Sequence, residues 1–199
     1  MKEKFLDYTI NYLKKYNNYS KDEIKKLRYG LEGIYLTLTK TIVILLVSLI
    51  LGILMEVVIG LILFNIIRYF AFGFHAEKSF ECLLLSLFNF VLIPYILLNT
   101  NFNLITNEII CAICFILILL FAPADTVKRP LKSKKKRVIR KILSCITGII
   151  YITLAIIFNN HFISDLLISS LISTSIVICP ITYMIFRQPY NNYKKLVRL

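Results

Sequence analysis

Six apolar runs, each at or near the length needed to cross a bilayer, constrain this chain more than any other feature. They fall at about 34–54, 57–69, 79–98, 104–122, 142–158 and 163–186 of the 199 residues. A crossing helix needs roughly 20 apolar residues, with a few fewer tolerated. Hydrophobic residues make up 58% of the chain and mean hydropathy is +0.74, more apolar than a soluble domain of this size needs. The expected fold is therefore all-α: a polytopic membrane protein with about six membrane-embedded helices. The run at 57–69 is the shortest and is expected to be tilted or partly re-entrant. No cleavable signal peptide is expected, because the first forty residues are charged and tyrosine-rich.

Charge placement sets the expected orientation. Of the 24 Lys and Arg, nine lie in the amino-terminal region up to Lys40, nine in 125–141 and four from Arg187 onward. Arg68 and Lys78 complete the set, while the turns around Glu56, at 99–103 and at 159–164 contain neither residue type. Lys and Arg are retained on the cytoplasmic side. Both termini, the basic loop and the segment between Arg68 and Lys78 are thus expected to face the cytoplasm. Most of the net charge of +13 reflects this topology and attraction to anionic lipid headgroups, about 1 kcal/mol per juxtamembrane cation, so membrane lipids are expected partners. The remainder suits an acidic partner. Nucleic acid is not expected, since the charges sit at membrane edges without a binding motif.

Residues 2–19 intersperse Phe5, Leu6, Tyr8, Ile10, Tyr12, Leu13 and Tyr16 with lysines, the pattern of an amphipathic helix in the headgroup region. Ser20 followed by Glu23 matches a capping box, predicting the start of a second short helix. The simplest organisation is one membrane domain over 1–199. Within it, 1–33 is cytoplasmic or interfacial, 34–186 holds the transmembrane helices, 124–141 is a basic cytoplasmic loop merging into the fifth helix, and 187–199 is a tail. Pro94 and Pro180 are expected to kink the third and sixth segments.

The chemistry concentrates in RYFAFGFHAEKSFEC, from Arg68 to Cys82. It places one of only two histidines seven residues before a cysteine, where an apolar segment begins. A thiol becomes a good nucleophile when a neighbouring base or positive charge holds it as thiolate. In an unbroken helix seven residues span about 10 Å along the axis, too far for proton transfer, so the chain must turn between His75 and Cys82. Gly73 supplies a permissive backbone before His75, and Ser79 is a candidate N-cap for a helix running on from Phe80. Cys82 then lies in the first turn, where unpaired N–H groups and the macrodipole favour negative charge. Glu77, Glu81 and Asp125 are each candidates to orient His75. Arg68 either snorkels to the headgroups or holds a substrate carboxylate or backbone.

Cys111, Cys114, Cys145 and Cys179 sit inside apolar segments and are expected to pack as small apolar residues. The Cys111/Cys114 spacing matches a redox motif but lacks the second pair an electron relay needs. Two histidines and no HExxH leave too few ligands for zinc, and neither metal nor cofactor is expected. The GxSG and GxGD signatures of serine and aspartyl intramembrane proteases are absent. His161, beside Asn159 and Asn160, is expected in a solvated outer turn.

The chain resembles the accessory gene regulator B (AgrB) family of bacterial quorum-sensing peptidases. The match is carried by Arg68, Gly73, His75, Ala76, Ser79 and Cys82, the helix through Pro94, and a second block, Ala122-Pro123-Ala124-Asp125-Thr126 with Pro130 and the lysine-rich run behind it. The resemblance covers essentially the whole sequence. It implies a multi-pass cysteine endopeptidase of the bacterial cell membrane, with His75 and Cys82 on the catalytic pair and Arg68, Gly73 and Ser79 on positions associated with activity. Phe72 and Phe74 depart from the smaller or polar residues many members carry beside the glycine.

By this resemblance the substrate is a signal propeptide with an amphipathic leader and an acidic tail. Cys82 would cleave off that tail through a thioester acyl-enzyme, enabling closure to a thiolactone autoinducing peptide. Lys128, Arg129, Lys132, Lys134, Lys135 and Lys136 would meet the acidic tail, and a homodimer is implied. The rival reading is a small non-enzymatic transporter or signalling scaffold in which Cys82 packs and His75 caps. Unusual reactivity of Cys82 toward an alkylating agent would separate the two.

Overall fold

A computed structural model describes residues 2–17, 19–74, 76, 78–100, 102–126, 130–159 and 161–193. Its regular elements among these residues are helical: α1 (Lys2–Lys14), α2 (Lys21–Ile50), α3 (Leu54–Ala71), α4 (Ser79–Leu87), a π-turn (Phe88–Leu92), α5 (Ile93–Asn99), α6 (Leu104–Phe121), α7 (Lys134–Ile157), α8 (Phe162–Ile178) and α9 (Pro180–Ile185). Five of these stretches are long and apolar enough to cross a membrane: Lys21–Ile50, Leu54–Ala71, Ser79–Asn99, Leu104–Phe121 and Lys134–Ile157. The apolar helix Phe162–Ile178 is shorter than these five. Rows of exposed large apolar side chains at helical spacing, such as Ile109, Ile113, Ile116 and Leu120 on α6, require lipid rather than water as their solvent.

The chain forms two compact units, Met1–Leu46 and Val47–Leu199. In the first, α1 buries Leu6 and Ile10 while Tyr8, Tyr12 and Tyr16 remain exposed. Lys2 Nζ meets Glu32 at 2.6 Å, and Arg28 bridges to both Glu3 and Asp7. Ser20 and Glu23 form the capping box: the Ser20 N–H and hydroxyl each donate to the Glu23 carboxylate at 2.8 Å. The helix it starts is not a separate short one. It runs unbroken from Lys21 to Ile50, because nothing between the charged start and the apolar run interrupts the backbone ladder.

The second unit is organised around α8, which packs against α3, α5, α6 and α7. Its buried positions mix Leu166, Leu167, Ile168, Leu171 and Ile178 with Ser169, Ser170, Ser173, Thr174 and Ser175. Small residues let helices approach closely, and each hydroxyl here is satisfied. Ser173 donates to the Asn89 carbonyl at 3.0 Å, Ser175 to the Cys114 carbonyl at 3.2 Å, and Ser164 to the Ala155 carbonyl at 2.9 Å. α3 is a full 18 residues, longer than the apolar run at 57–69: Tyr151 donates to its Leu63 carbonyl at 2.8 Å, and α8 packs against it.

Both prolines act on their segments. Pro94 follows the π-turn, where a residue without an N–H and with a ring that crowds the preceding carbonyls favours wider winding. Pro180 separates α8 from α9, with Cys179 extended between them. His161 stands exposed in the turn between α7 and α8, as expected, and also caps α8, its Nδ1 accepting the Ile163 N–H at 3.3 Å.

Candidate active site

The backbone leaving α3 is pinned from three directions before it reaches position 75. Phe72 has positive φ (60°) and donates to the Arg68 carbonyl at 2.8 Å, closing α3. Gly73, at φ +118°, donates to the Ala124 carbonyl at 2.9 Å, and Ala124 donates back to the Ala71 carbonyl at 3.0 Å. Phe74 then donates to the Val177 carbonyl near the end of α8, at 2.6 Å. The Phe74 carbonyl accepts from Arg68 Nη2 at 2.8 Å, so every polar backbone atom of this residue has a partner. His75 and Glu77 lie outside the described residues; Ala76 between them is buried.

Beneath this turn lies an aromatic cluster. Phe74 stacks on Phe186 at 4.7 Å between centroids and meets Tyr183 edge-on at 5.6 Å, and Tyr183 in turn packs on Tyr190 at 5.1 Å. Burial pushes the Tyr190 phenol up to about 12, and its hydroxyl donates to the Phe121 carbonyl at 3.4 Å. Phe72, by contrast, faces Arg140, whose guanidinium carbon lies 4.3 Å from its ring centroid while Nη1 donates to the Tyr69 carbonyl at 2.5 Å.

Cys82 enters through α4. Lys78, extended at ψ 133°, occupies the N-cap, and Ser79 is the first helical residue rather than the cap. The Cys82 N–H closes the first turn onto the Lys78 carbonyl at 3.0 Å, and its side chain is partly buried against the core that contains Phe74 and Ala76. Arg68 lies within electrostatic reach of Cys82 and Tyr183, and its guanidinium carbon sits 5.3 Å from the Phe64 centroid. It is partly buried, and its Nη2 is bound to this chain's own Phe74 carbonyl.

Of the orienter candidates, Glu81 pairs with Lys78 at 3.0 Å. Asp125, only 2% exposed, accepts three backbone N–H groups: Asn192 at 3.0 Å, Tyr193 at 2.9 Å and Leu131 at 3.3 Å. Lys128 and Arg129 lie outside the described residues. Lys132 precedes α7, and Lys134, Lys135 and Lys136 form its first turn, capped by Ser133, rather than belonging to a loop; all four lysines are exposed. Arg140, Val177 and the carboxy-terminal segment are supports that sequence reasoning missed. An arginine two turns into α7 and a valine inside an apolar run carry no local signal of a loop they meet only in three dimensions.

None of the five cysteines is in a disulfide, and no cluster of His, Cys, Asp or Glu able to hold a metal occurs among the described residues. The arrangement thus offers a thiol at a helix start, a positioned turn ahead of it and a guanidinium alongside.

Comparison with known proteins finds similar chains. An AgrB-like protein of Clostridium acetobutylicum is 31% identical over 179 residues, covering 88% of this chain and 84% of its own. One of Listeria monocytogenes serotype 4a is 33% identical over 173 residues, 85% of this chain and 83% of its own. The accessory gene regulator protein B of Staphylococcus carnosus is 32% identical over 139 residues, 68% and 73% respectively. No solved structure matches. The profile named accessory gene regulator B spans residues 6–185, taking in the whole of the pinned turn, Cys82 and the 122–126 block: this chain belongs to the accessory gene regulator B family.

Proposed function

We propose that this protein is a membrane-embedded cysteine endopeptidase that processes the propeptide of a quorum-sensing signal, with Cys82 as nucleophile and His75 as its base. The observation that carries the reading is the turn at Phe72–Phe74. A glycine-dependent backbone, fixed by Ala124, Val177 and Arg68, holds the chain up to Phe74, the residue before His75, while α4 carries Cys82 in its first turn. Membership of the accessory gene regulator B family associates the chain with quorum-sensing peptide processing.

In this mechanism His75 takes the Cys82 proton and the thiolate attacks the carbonyl at the carboxyl end of the future signal. The imidazolium returns the proton to the departing amine as the acidic tail leaves, and a thioester remains. A cysteine thiol within the bound peptide then displaces Cys82 and closes a thiolactone, which requires water to be held off the thioester. Both termini and the site face the cytoplasm in this reading, where the positive-inside bias of the lysines would keep them. Lys132 and Lys134–Lys136, exposed at an end of α7 where the helix dipole disfavours cations, suit an anionic propeptide tail.

Co-expression with the small propeptide encoded beside the gene, followed by mass spectrometry of the peptide products, tests the proposal. Cys82→Ala and His75→Ala are each expected to abolish tail removal while the protein stays in the membrane. Unchanged products from both variants would refute it and favour a transporter or scaffold.

A further inference from the structure

The carboxy-terminal segment folds back onto the 122–126 block, and one carboxylate holds it there. Asp125 Oδ1 accepts the Asn192 N–H at 3.0 Å, while Oδ2 accepts those of Tyr193 at 2.9 Å and Leu131 at 3.3 Å. Around this knot the Asn192 side-chain amide reaches the Asp125 carbonyl at 3.5 Å, and the Tyr183 hydroxyl lies 3.2 Å from the same oxygen. The Arg137 guanidinium covers the Tyr193 ring at 3.0 Å. A buried carboxylate is tolerated when several N–H donors replace its water, and here two of the three come from a segment distant in sequence.

What this knot fixes is adjacent to the proposed chemistry. Asp125 follows Ala124, whose N–H and carbonyl pair with Ala71 and Gly73, and Gly73 precedes His75 by two residues. We propose, building on the peptidase reading above, that Asp125 is a positioning residue for the His75/Cys82 pair. By latching the segment at 189–193 it clamps Ala124 against the Ala71–Gly73 turn and so sets where His75 stands relative to Cys82. Its carboxylate touches no substrate in this scheme and acts only through the backbone it holds.

Asp125→Asn is nearly isosteric but replaces one acceptor oxygen by an NH₂ facing backbone N–H donors, which breaks the latch without emptying the site. A second variant ending after Gln188 keeps Asp125 and removes the strap. Each variant in the membrane, with wild type and His75→Ala beside it, is assayed for propeptide tail cleavage and for the iodoacetamide alkylation rate of each cysteine at pH 7. Cys111 and Cys114, 3% and 5% exposed inside α6, serve as internal reporters of bundle unfolding.

The expected result is a fall of about tenfold or more in both the cleavage rate and the Cys82 alkylation rate in both latch variants, with Cys111 and Cys114 still protected, as misplacement of a proton acceptor by a fraction of an ångström produces. Wild-type rates in both variants would overturn the proposal. So would losses accompanied by rapid labelling of Cys111 and Cys114 in both, since the carboxylate would then serve bundle stability alone. If His75→Ala itself leaves Cys82 reactivity and cleavage unchanged, the peptidase reading fails. If His75→Ala is impaired and the latch variants are not, only the latch fails.

Discussion

A Cβ built on Gly73 would lie 2.9 Å from Val177 Cγ2 and 3.0 Å from the Val177 carbonyl oxygen, the same oxygen that accepts the Phe74 N–H. With φ at +118° as well, the position excludes side chains on two independent grounds. Gly73→Ala is expected to cost about 1–3 kcal/mol and, because the turn or the end of α8 must move, to cut propeptide cleavage at least about tenfold. Thermal unfolding in detergent and the cleavage rate measure the two effects. Adding Val177→Ala relieves only the side-chain contact, so rescue should be partial; complete rescue would show that side-chain volume, not backbone conformation, is the constraint.

Arg68 is the second fixed point of the turn. Its Nη2 donates to the Phe74 carbonyl at 2.8 Å while the guanidinium lies near the Phe64 ring, so one planar head serves both contacts. Arg68→Lys keeps the charge but loses that planar head. It is expected to process propeptide at least about tenfold more slowly than wild type. Arg68→Gln, which keeps a donor but no charge, should be no better. A lysine variant as active as wild type would mean that charge alone matters at this position.

The membrane class and the positions of the apolar segments were legible because lipid imposes long apolar runs that soluble packing does not. Two kinds of feature were not. The unbroken α2 was hidden because Ser20 and Glu23 mark where a helix begins and nothing in the following charges marks that it continues. The supports of the turn were hidden because backbone pairing leaves almost no side-chain signature: Ala124, Val177 and Asn192 hold the site with main-chain atoms. Asp125 stood out as a titratable residue near the site, yet two of its three backbone partners, Asn192 and Tyr193, come from residues far along the chain. Ser79 was displaced by one position, since Lys78 takes the extended cap conformation without a side-chain bond.

At the start of α2 the Glu23 carboxylate is held below its ordinary value by the Ser20 backbone N–H first and the Ser20 hydroxyl second. A depressed carboxylate stabilises the fold above its unfolded pKa, near 4.3, and the contribution is lost as pH falls through the lower folded value. Hydrogen exchange at the first-turn amides of α2 should therefore be steady from pH 7 to about 5 and show reduced protection below about 4 once the intrinsic rate is divided out. Glu23→Gln should flatten that dependence. A wild-type profile already flat to pH 3 would show that the capping box does not form in solution.

The exposed lysines at the start of α7 allow substrate electrostatics to be separated from helix stability. Replacing Lys132, Lys134, Lys135 and Lys136 by Glu reverses the charge offered to an acidic propeptide tail. The same change improves α7, because acidic residues at a helix N-terminus are favoured by about 0.3–1 kcal/mol each. A loss of processing could then not be blamed on melting the helix. KM for the propeptide is expected to rise at least about tenfold at low ionic strength, with kcat much less affected. The gap between variant and wild type should close as salt is raised toward about 1 M, where the screening length falls to about 3 Å. Equal KM values at low salt would remove the lysines from substrate recognition and leave them to anionic headgroups, an outcome that binding of both proteins to anionic vesicles would register independently.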